Sequence, residues 1–273
     1  MYGFGYRYSP KGIYVPSGGG GALDPDAEAF ITAATITDPT EISAVNQLVI
    51  DMKDAGIWTK MKAVCPFVGG TATTHKWNLI DPQDLDAAFR LTFNGGWNHS
   101  STGALPNGTN GYANTYFNTD DTASTGIQSF GVYTRNTPTF AVNSTEYTTG
   151  LRNGIYWMRI SSLSPTLTNL RSGDRSENIT GVTGFLAQSR LTTSSWYGVN
   201  NSNITTLTSI TSVLGSDVTR TFFLGAYNNV GPANNFSTQE LAFAFYGEPL
   251  LTTEMSDFYT AVQTFQTTLG RAV

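Results

Sequence analysis

The spacing of apolar residues changes across residues 65–99, and this change constrains the fold more than any other feature. Before it, apolar residues recur at helical intervals. After it they mostly alternate as in strands, until helical spacing returns behind Pro249. No catalytic motif lies in the transition itself. We therefore expect a helical segment over residues 22–80, packed on a β-domain over residues 81–273 that ends in a C-terminal helix.

Asp-Pro pairs mark possible helix starts, because Asp accepts hydrogen bonds from first-turn amides and Pro lacks an N–H that would have no partner there. After Asp38-Pro39, Glu41 can complete a capping box and Gly56 can end the helix, so we predict an amphipathic helix over residues 40–55. The closing helix is predicted to begin at a Thr252 cap and to end at Gly270. The three pairs are Asp24-Pro25, Asp38-Pro39 and Asp81-Pro82.

The β-domain is predicted from short runs of alternating bulky residues, separated by Gly, Asn, Pro and Ser clusters. In the last run Leu241, Phe243 and Phe245 share one predicted face, and the residues between them share the other. Many such runs indicate an all-β fold, an antiparallel sandwich or jelly roll. They cover residues 89–93, 111–118, 128–135, 154–161, 183–190, 195–199, 220–227 and 240–246.

Residues 1–21 are rich in aromatic residues and end in four glycines, residues 18–21. Such a segment cannot form a core alone. We expect an extended attachment arm that adds to a sheet edge of a neighbouring chain, although an arm folded back on its own domain is an equal alternative. The attachment residues alternate as in a strand and are Tyr2, Phe4, Tyr6 and Tyr8.

Composition argues against several classes of partner and site. The net charge is −5 and the basic residues are scattered, whereas nucleic-acid binding needs them clustered. No run approaches the roughly 18 apolar residues of a membrane span, and no secretory signal is visible, so we expect neither membrane insertion nor a signal peptide. Cys65 is the single cysteine, and we predict that it is a buried small side chain rather than a reactive thiol.

A glycan site needs an aromatic platform for the apolar face of a sugar, with amides and carboxylates for its hydroxyls. Loop-like surroundings offer these residue types near Asn98 and Asn200. The alternative reading of Trp97 and Trp196 is that they are core or turn aromatics. The candidate glycan-binding residues are Trp97, His99, Tyr112, Trp196 and Tyr197.

Other ionisable residues suggest little chemistry. Asn118, Asp120 and Asp121 form a compact acidic cluster that offers oxygen ligands to Ca²⁺, and an ordinary solvated turn is the alternative. A glycosidase needs two carboxylates across the scissile bond, but Glu240 and Glu248 flank a predicted strand instead of sharing its face. We therefore expect no enzymatic activity and no required cofactor.

Several segments resemble structural proteins of bacteriophages. They read Pro-Phe-Val-Gly-Gly-Thr-Ala at 66–72, His-Lys-Trp-Asn-Leu at 75–79, Asp-Pro at 81–82, Leu-Thr-Phe-Asn-Gly-Gly at 91–96 and Asn-Gly-Thr-Asn-Gly-Tyr-Ala-Asn-Thr at 107–115. Residues 223–229 and 245–255 are similar to the closing strands and final helix of concanavalin A-like, laminin-G-like jelly rolls.

The resemblance implies a virion-surface fibre, spike or decoration protein, assembled in the host cytoplasm, that binds other virion proteins through residues 1–21. It also implies possible recognition of a host-surface glycan. Repeated display favours a homo-oligomer, because repetition adds avidity. The alternatives are a free carbohydrate-binding, lectin-like module and, less favoured, a glycan depolymerase.

Overall fold

The computed structural model describes residues 22–118, 120–123, 127–138, 146–153, 156–164, 167–172, 175–192, 194–208, 221–229 and 232–273. Within these ranges the chain forms four α-helices and two antiparallel-dominated sheets. The helices are α1 (Pro25–Ala33), α2 (Pro39–Asp54), the single-turn α3 (Ala72–His75) and α4 (Thr252–Thr268). None of the described helices has both the length and the apolar character needed to cross a bilayer.

Strands are numbered in chain order. The first eight are β1 (Met61–Cys65), β2 (Thr92–Asn94), β3 (Trp97–Ser100), β4 (Gly103–Pro106), β5 (Tyr112–Asn118), β6 (Ser129–Thr134), β7 (Glu146–Asn153) and β8 (Tyr156–Ser164). The others are β9 (Leu167–Ser172), β10 (Arg175–Thr180), β11 (Gly184–Arg190), β12 (Ser195–Asn200), β13 (Asn203–Thr208), β14 (Thr221–Leu224), β15 (Tyr227–Asn229), β16 (Ala233–Asn234) and β17 (Leu241–Gly247).

The strands form two sheets. Sheet A has the order β13-β12-β11-β6-β17-β4-β3, with β1 also paired to β17. Sheet B has the order β10-β9-β8-β7-β14-β5-β2, extended by β15 and β16. All strand pairs among the described residues are antiparallel except β15 with β7. The predicted antiparallel sandwich with an N-terminal helical segment and a C-terminal helix is confirmed.

Two hydrophobic cores stack the molecule into three layers. The first lies between the helices and sheet A, where Phe258 and Phe265 of α4 pack with Phe243 and Phe245 of β17. The second lies between the sheets, where Tyr246 of β17 meets Phe117 of β5. Burying each such side chain contributes on the order of 1.5–3 kcal/mol. The helices therefore cover one face of sheet A, and sheet B covers the other.

The predicted helices follow their caps. Asp24 accepts from the amide of Asp26, and Asp38 accepts from the amides of Thr40 and Glu41. In α4 the prediction was wrong by one position, since Thr252 is the first helical residue and Glu254 accepts the Leu251 amide. The pair Asp81-Pro82 starts no helix: residues 81–85 are irregular, with bends at 81, 84 and 85, and a short 3₁₀ turn follows at Asp86–Ala88.

Two features of sheet A were not predicted. Strand β1 lies inside the segment predicted as helical, so sheet A crosses the predicted boundary at residue 80. In β17 a register shift separates Leu241 from Phe243. Because a bulge reverses the alternation of side chains, Leu241 joins the core between the sheets while Phe243 faces the helices. The prediction that these two residues share a face was therefore wrong.

The buried Arg271 joins the end of α4 to the loop after β1. Gly270, with φ 66°, ends the helix in the left-handed conformation that glycine tolerates best. The guanidinium of Arg271 then donates to the carbonyls of Pro66, Phe67 and Ala242 at 3.1, 2.8 and 3.2 Å, and its Nε donates to Gln266 Oε1 at 2.9 Å. One side chain thus holds the C-terminal segment, β17 and the β1 loop together.

Candidate functional site

The face of sheet B that points away from sheet A is the candidate site. In β5, Ala113 and Phe117 point into the core between the sheets. The alternation of the strand places Tyr112, Asn114 and Tyr116 on the opposite, half-buried positions. We call this surface, with Thr92, Thr221 and Phe223 beside it, the outer face. Among the described residues, neither hydrophobic core lies on this face of sheet B, and no helix covers it there.

An aromatic pair lies at the centre of the outer face. The rings of Tyr112 and Phe223 are 4.7 Å apart between centroids with planes tilted by 36°. Phe223 is only 6% exposed, whereas Tyr112 is half-buried. The pair therefore presents a supported tyrosine ring to solvent, which is the kind of platform against which an apolar sugar face packs.

Polar groups next to this pair are held in fixed positions. Asn114 Oδ1 accepts from Thr221 Oγ1 at 2.7 Å and from the Tyr116 amide at 3.0 Å. Tyr116 has a φ of 57°, and its hydroxyl donates to Thr92 Oγ1 at 2.9 Å. Because both bonds to Asn114 use its oxygen, the amide NH₂ group of Asn114 remains as the end that can donate to a ligand.

A charged cluster borders the outer face beside Tyr116. Arg90 pairs with Asp84 at 3.1 Å and with Asp86 at 2.8 Å, and Lys76 pairs with Asp84 at 2.5 Å. The hydrogen bond from Lys76 is the main cause that lowers the pKa of Asp84, although slight burial opposes it. Both aspartates are exposed, so their carboxyl oxygens can accept hydrogen bonds from hydroxyl groups.

Trp97 and His99, both predicted glycan-binding residues, make internal contacts at the edge of the core between the sheets. The half-buried Trp97 donates from Nε1 to the carbonyls of Asn94 and Tyr112 at 3.0 and 3.3 Å, which ties β3 to sheet B. Its ring lies so close to Gly225 that a Cβ there would come within 2.9 Å of Cη2. The half-buried His99 ring stacks on Trp97 with centroids 6.1 Å apart.

Two of the predicted glycan-binding residues are misplaced for that role. Trp196 and Tyr197 are each 1% exposed. Trp196 lies in the core between the sheets, and Tyr197 points to the helices, where its hydroxyl donates to the Leu250 carbonyl at 2.6 Å. Successive strand residues face opposite sides, and sheet A is covered on both. Both residues are therefore core aromatics, and neither offers a platform to solvent.

The predicted calcium cluster forms a turn closed on itself. Asp121 Oδ2 accepts from the Asn118 amide at 2.6 Å, and Asn118 Oδ1 accepts from the Asp120 amide at 2.7 Å. Burial raises the pKa of Asp121, and the neighbouring Asp120 adds to the effect. Within the described ranges no three His, Cys, Asp or Glu side chains come together as metal ligands. One side-chain oxygen each of Asn118 and Asp121 is used within the turn, which favours the alternative of an ordinary turn.

The two candidate catalytic carboxylates lie at opposite ends of β17. Glu240 pairs with Arg135 at 2.9 Å and Glu248 pairs with Lys62 at 3.4 Å. Eight residues of extended chain separate them by about 26 Å, whereas glycosidase carboxylates lie about 5–9.5 Å apart. Cys65 is buried as predicted, and burial raises the pKa of its thiol to about 12, so it remains an unreactive thiol.

Sequence reasoning missed most of the outer face. Tyr112 was predicted, but Thr92, Asn114, Tyr116, Thr221 and Phe223 were not. The alternation of aromatic and amide residues in β5 was a usable signal for Tyr112, Asn114 and Tyr116. No local pattern predicts that β14, which carries Thr221 and Phe223, pairs with β5. The predicted attachment residues Tyr2, Phe4, Tyr6 and Tyr8 lie outside the described residues.

No protein-family model matches the chain, and no curated protein sequence matches it. A mutant Trypanosoma rangeli sialidase displaying trans-sialidase activity is similar in structure, with a TM-score of 0.54 and 10% identity, over 82% of this chain and 39% of the sialidase chain. Domain 4 of AbnA, a GH43 extracellular arabinanase from Geobacillus stearothermophilus, solved with arabinotriose, has a TM-score of 0.47 and 14% identity, over 73% of this chain and 98% of that domain.

The binding domain of botulinum neurotoxin serotype D has a TM-score of 0.49 and 8% identity, over 75% of this chain and 52% of that chain. This chain thus spans about two fifths of the sialidase and half of the neurotoxin domain. At 10% identity, the similarity to the sialidase shows a shared fold and nothing further. The chain is a mostly antiparallel β-sandwich with a C-terminal helix, as predicted, and it shares this fold with part of the sialidase.

Proposed function

We propose that this chain is a non-enzymatic carbohydrate-binding domain and that its sugar site is the outer face of sheet B. The observation that carries the proposal is the supported Tyr112–Phe223 pair beside a fixed amide, on the sheet face opposite the helices. The apolar face of a pyranose ring packs on Tyr112. The sugar hydroxyls accept from the Asn114 amide and donate to Asp84 or Asp86.

Recognition without cleavage fits the distribution of carboxylates. The strand-flanking pair Glu240 and Glu248 is engaged with Arg135 and Lys62 and is too far apart to act on one bond. The shared fold supports the proposal only in that such a sandwich occurs within the chain of a sialidase. A depolymerase would need a protonated acid beside the sugar, whereas the hydrogen bond from Lys76 lowers the pKa of Asp84, and both bordering aspartates are paired with Arg90.

The expected setting is the surface of a virion, as a fibre, spike or decoration protein in several copies. Its support is the resemblance of residues 66–115 to bacteriophage structural proteins. The test is an antibody raised against the chain and used to label purified virus particles from its source for electron microscopy. Label at a defined position supports this setting. Particles that contain none of the protein would rule it out and leave a free lectin-like domain.

Replacing Tyr112 by alanine should weaken the binding of any glycan that the chain selects from an array by about tenfold to thirtyfold, because the stacking surface is lost. Tyr112→Phe keeps the ring and should keep most of the affinity. Isothermal titration calorimetry with the selected glycan measures both.

The matched control is Tyr259→Ala. Tyr259 is a half-buried tyrosine of α4 on the helix side of the molecule, and its ring contacts Phe185 at 5.8 Å between centroids. Its loss should leave glycan affinity unchanged. Equal losses in the two alanine variants would place the sugar elsewhere, and a wild-type chain that binds no glycan on the array would overturn the proposed function.

A further inference from the structure

A groove of about 550 Å³ runs between α2 and α4 on the helix side of the molecule, away from the outer face. Ala55 and Ala261 contribute methyl groups to it, and three carboxylates line it. The residues that line it are Gln47, Asp51, Asp54, Ala55, Asp257, Thr260, Ala261 and Thr264. The groove therefore combines small side chains that leave room with an excess of negative charge.

The carboxylates of the groove form no ion pair with a Lys or Arg in the described part of the chain. Every described Lys or Arg ion pair uses other acidic residues. Asp51 accepts only from the neutral Gln47 Nε2, at 2.8 Å. Burial is the main cause that raises the pKa of Asp51, and the negative charge of the nearby Asp54 adds to it. A cationic occupant would relieve this repulsion.

Residues 1–21 have the complementary character. They contain Arg7 and Lys11 and no acidic residue. The remainder of the chain therefore carries 13 basic and 20 acidic residues, a net charge of −7 against the whole-chain −5. Aromatic residues between and around the two cations can pack on the methyl groups of Ala55 and Ala261.

The point where this segment joins the fold lies beside the groove. The Asp24 amide donates to Asn46 Oδ1 at 2.7 Å, and Lys53 pairs with Asp24 at 2.6 Å. Asn46 and Lys53 of α2 are the sequence neighbours of Gln47 and Asp54, which line the groove. From residue 21 back to Arg7 an extended chain reaches about 45 Å, whereas α2 is only about 24 Å long.

We propose that the N-terminal segment of the chain folds back into its own groove between α2 and α4, with Arg7 and Lys11 paired to Asp54 and Asp257. Residues 18–21 are glycines, which allow the reversal of direction. The short connection gives the segment a high effective concentration at its own groove, so it outcompetes a copy from another molecule. The inference is independent of sugar binding on the opposite side of the molecule.

Trypsin tests the proposal on the full chain, because it cleaves after Arg7 and Lys11. The variant Asp54→Asn/Asp257→Asn removes two exposed carboxylates and should be cut at these bonds about tenfold faster than wild type. The matched control Asp81→Asn/Asp120→Asn makes the same change in charge elsewhere and should be cut at the wild-type rate. Wild type cut as fast as the groove variant would overturn the proposal.

Zero-length carbodiimide cross-linking identifies the partner of Lys11. In an equal mixture of ¹⁵N-labelled and unlabelled chains, we expect mass spectrometry to find Lys11 joined to Asp54 or Asp257 within chains of one isotope. The double variant Lys11→Glu/Asp257→Lys exchanges the two charges, so its bond at Arg7 should be as well protected from trypsin as in wild type. Peptides that mix isotopes would show exchange between molecules, and links from Lys11 only to residues outside the groove would place the segment elsewhere. Either result overturns the proposal.

Discussion

Replacing Arg271 by methionine should lower the free energy of unfolding by about 3–5 kcal/mol. The guanidinium is 1% exposed and remains protonated at neutral pH, although burial lowers its pKa to about 10. Methionine fills similar space but donates nothing. The carbonyls of Pro66 and Phe67 would then be buried without a donor, and each such group costs about 1–3 kcal/mol. The carbonyl of Ala242 keeps its bond from Gln266 Nε2.

Urea denaturation of both proteins at pH 7 measures this loss. The matched control is Arg90→Met, because Arg90 is a half-buried arginine whose partners, Asp84 and Asp86, are exposed. Its replacement should cost less than about 1 kcal/mol. If Arg271→Met were as stable as wild type, the arginine would contribute no more than an apolar side chain at that position, and its role in joining the three segments would be refuted.

Acidification from pH 7 to pH 5 should cost about 2 kcal/mol of stability through His75 alone. His75 is 1% exposed, and burial, helped by the charges of His99 and Arg271, lowers its pKa to about 3 from the ordinary histidine value of 6.5. The folded-state pKa lies below the unfolded value, so the unfolded chain binds the proton first. Stability is therefore complete above pH 6.5 and falls progressively toward about pH 3.

The surroundings of His75 explain why it resists protonation. Its Nδ1 lies 3.0 Å from Nδ1 of His99, so only one of the two nitrogens can carry a proton. Its Nε2 is buried without a hydrogen-bond partner among the described residues. The edge of its ring faces Phe67, and the charged group that acts on it from the C-terminal segment is Arg271. No carboxylate contributes to the shift, so nothing in this site favours the imidazolium.

The prediction is tested by urea denaturation of wild type and His75→Gln between pH 7 and pH 5. The glutamine does not titrate, so the variant should lose the His75 contribution of about 2 kcal/mol, while His99, whose pKa burial also lowers, keeps a smaller one. Carboxylates contribute mainly below this range. His99→Gln is the matched control and should keep most of the slope, since burial is the largest cause of the shift at His75. An unchanged slope in His75→Gln would contradict the prediction.

The elements that sequence reasoning found are those specified by neighbouring residues. Helix α2 follows from Asp38, Pro39 and Glu41, which act within one turn. Strands β5, β6, β11 and β12 follow from alternation with local turn signals. Strand β1 was missed because its burial comes from pairing with β17, nearly two hundred residues away. The bulge in β17 likewise depends on its neighbours in sheet A and leaves no mark in the local spacing.

The candidate site likewise combines residues that the local sequence could predict with residues whose role depends on distant parts of the chain. Trp196, Tyr197 and Tyr112 are all aromatic residues in strands, and the local sequence does not distinguish them. Whether such a ring meets solvent depends on how many layers cover its sheet. Sheet A has the helices on one side and sheet B on the other, so both faces of β12 are buried. Of the two strands that carry these residues, β5 alone belongs to a sheet with a face outside both cores. This difference depends on the stacking of the layers.

The three-layer stack also gives the molecule a direction. Layers pack about 10 Å apart, so the helix side and the outer face are separated by roughly 20 Å and point in opposite directions. A copy fixed through its helices would turn Tyr112 directly away from whatever holds it. Copies fixed side by side on one support would then form an array in which every Tyr112 faces the same direction. Contact with a sugar-coated surface would tighten with each added copy while every individual bond stayed weak and reversible.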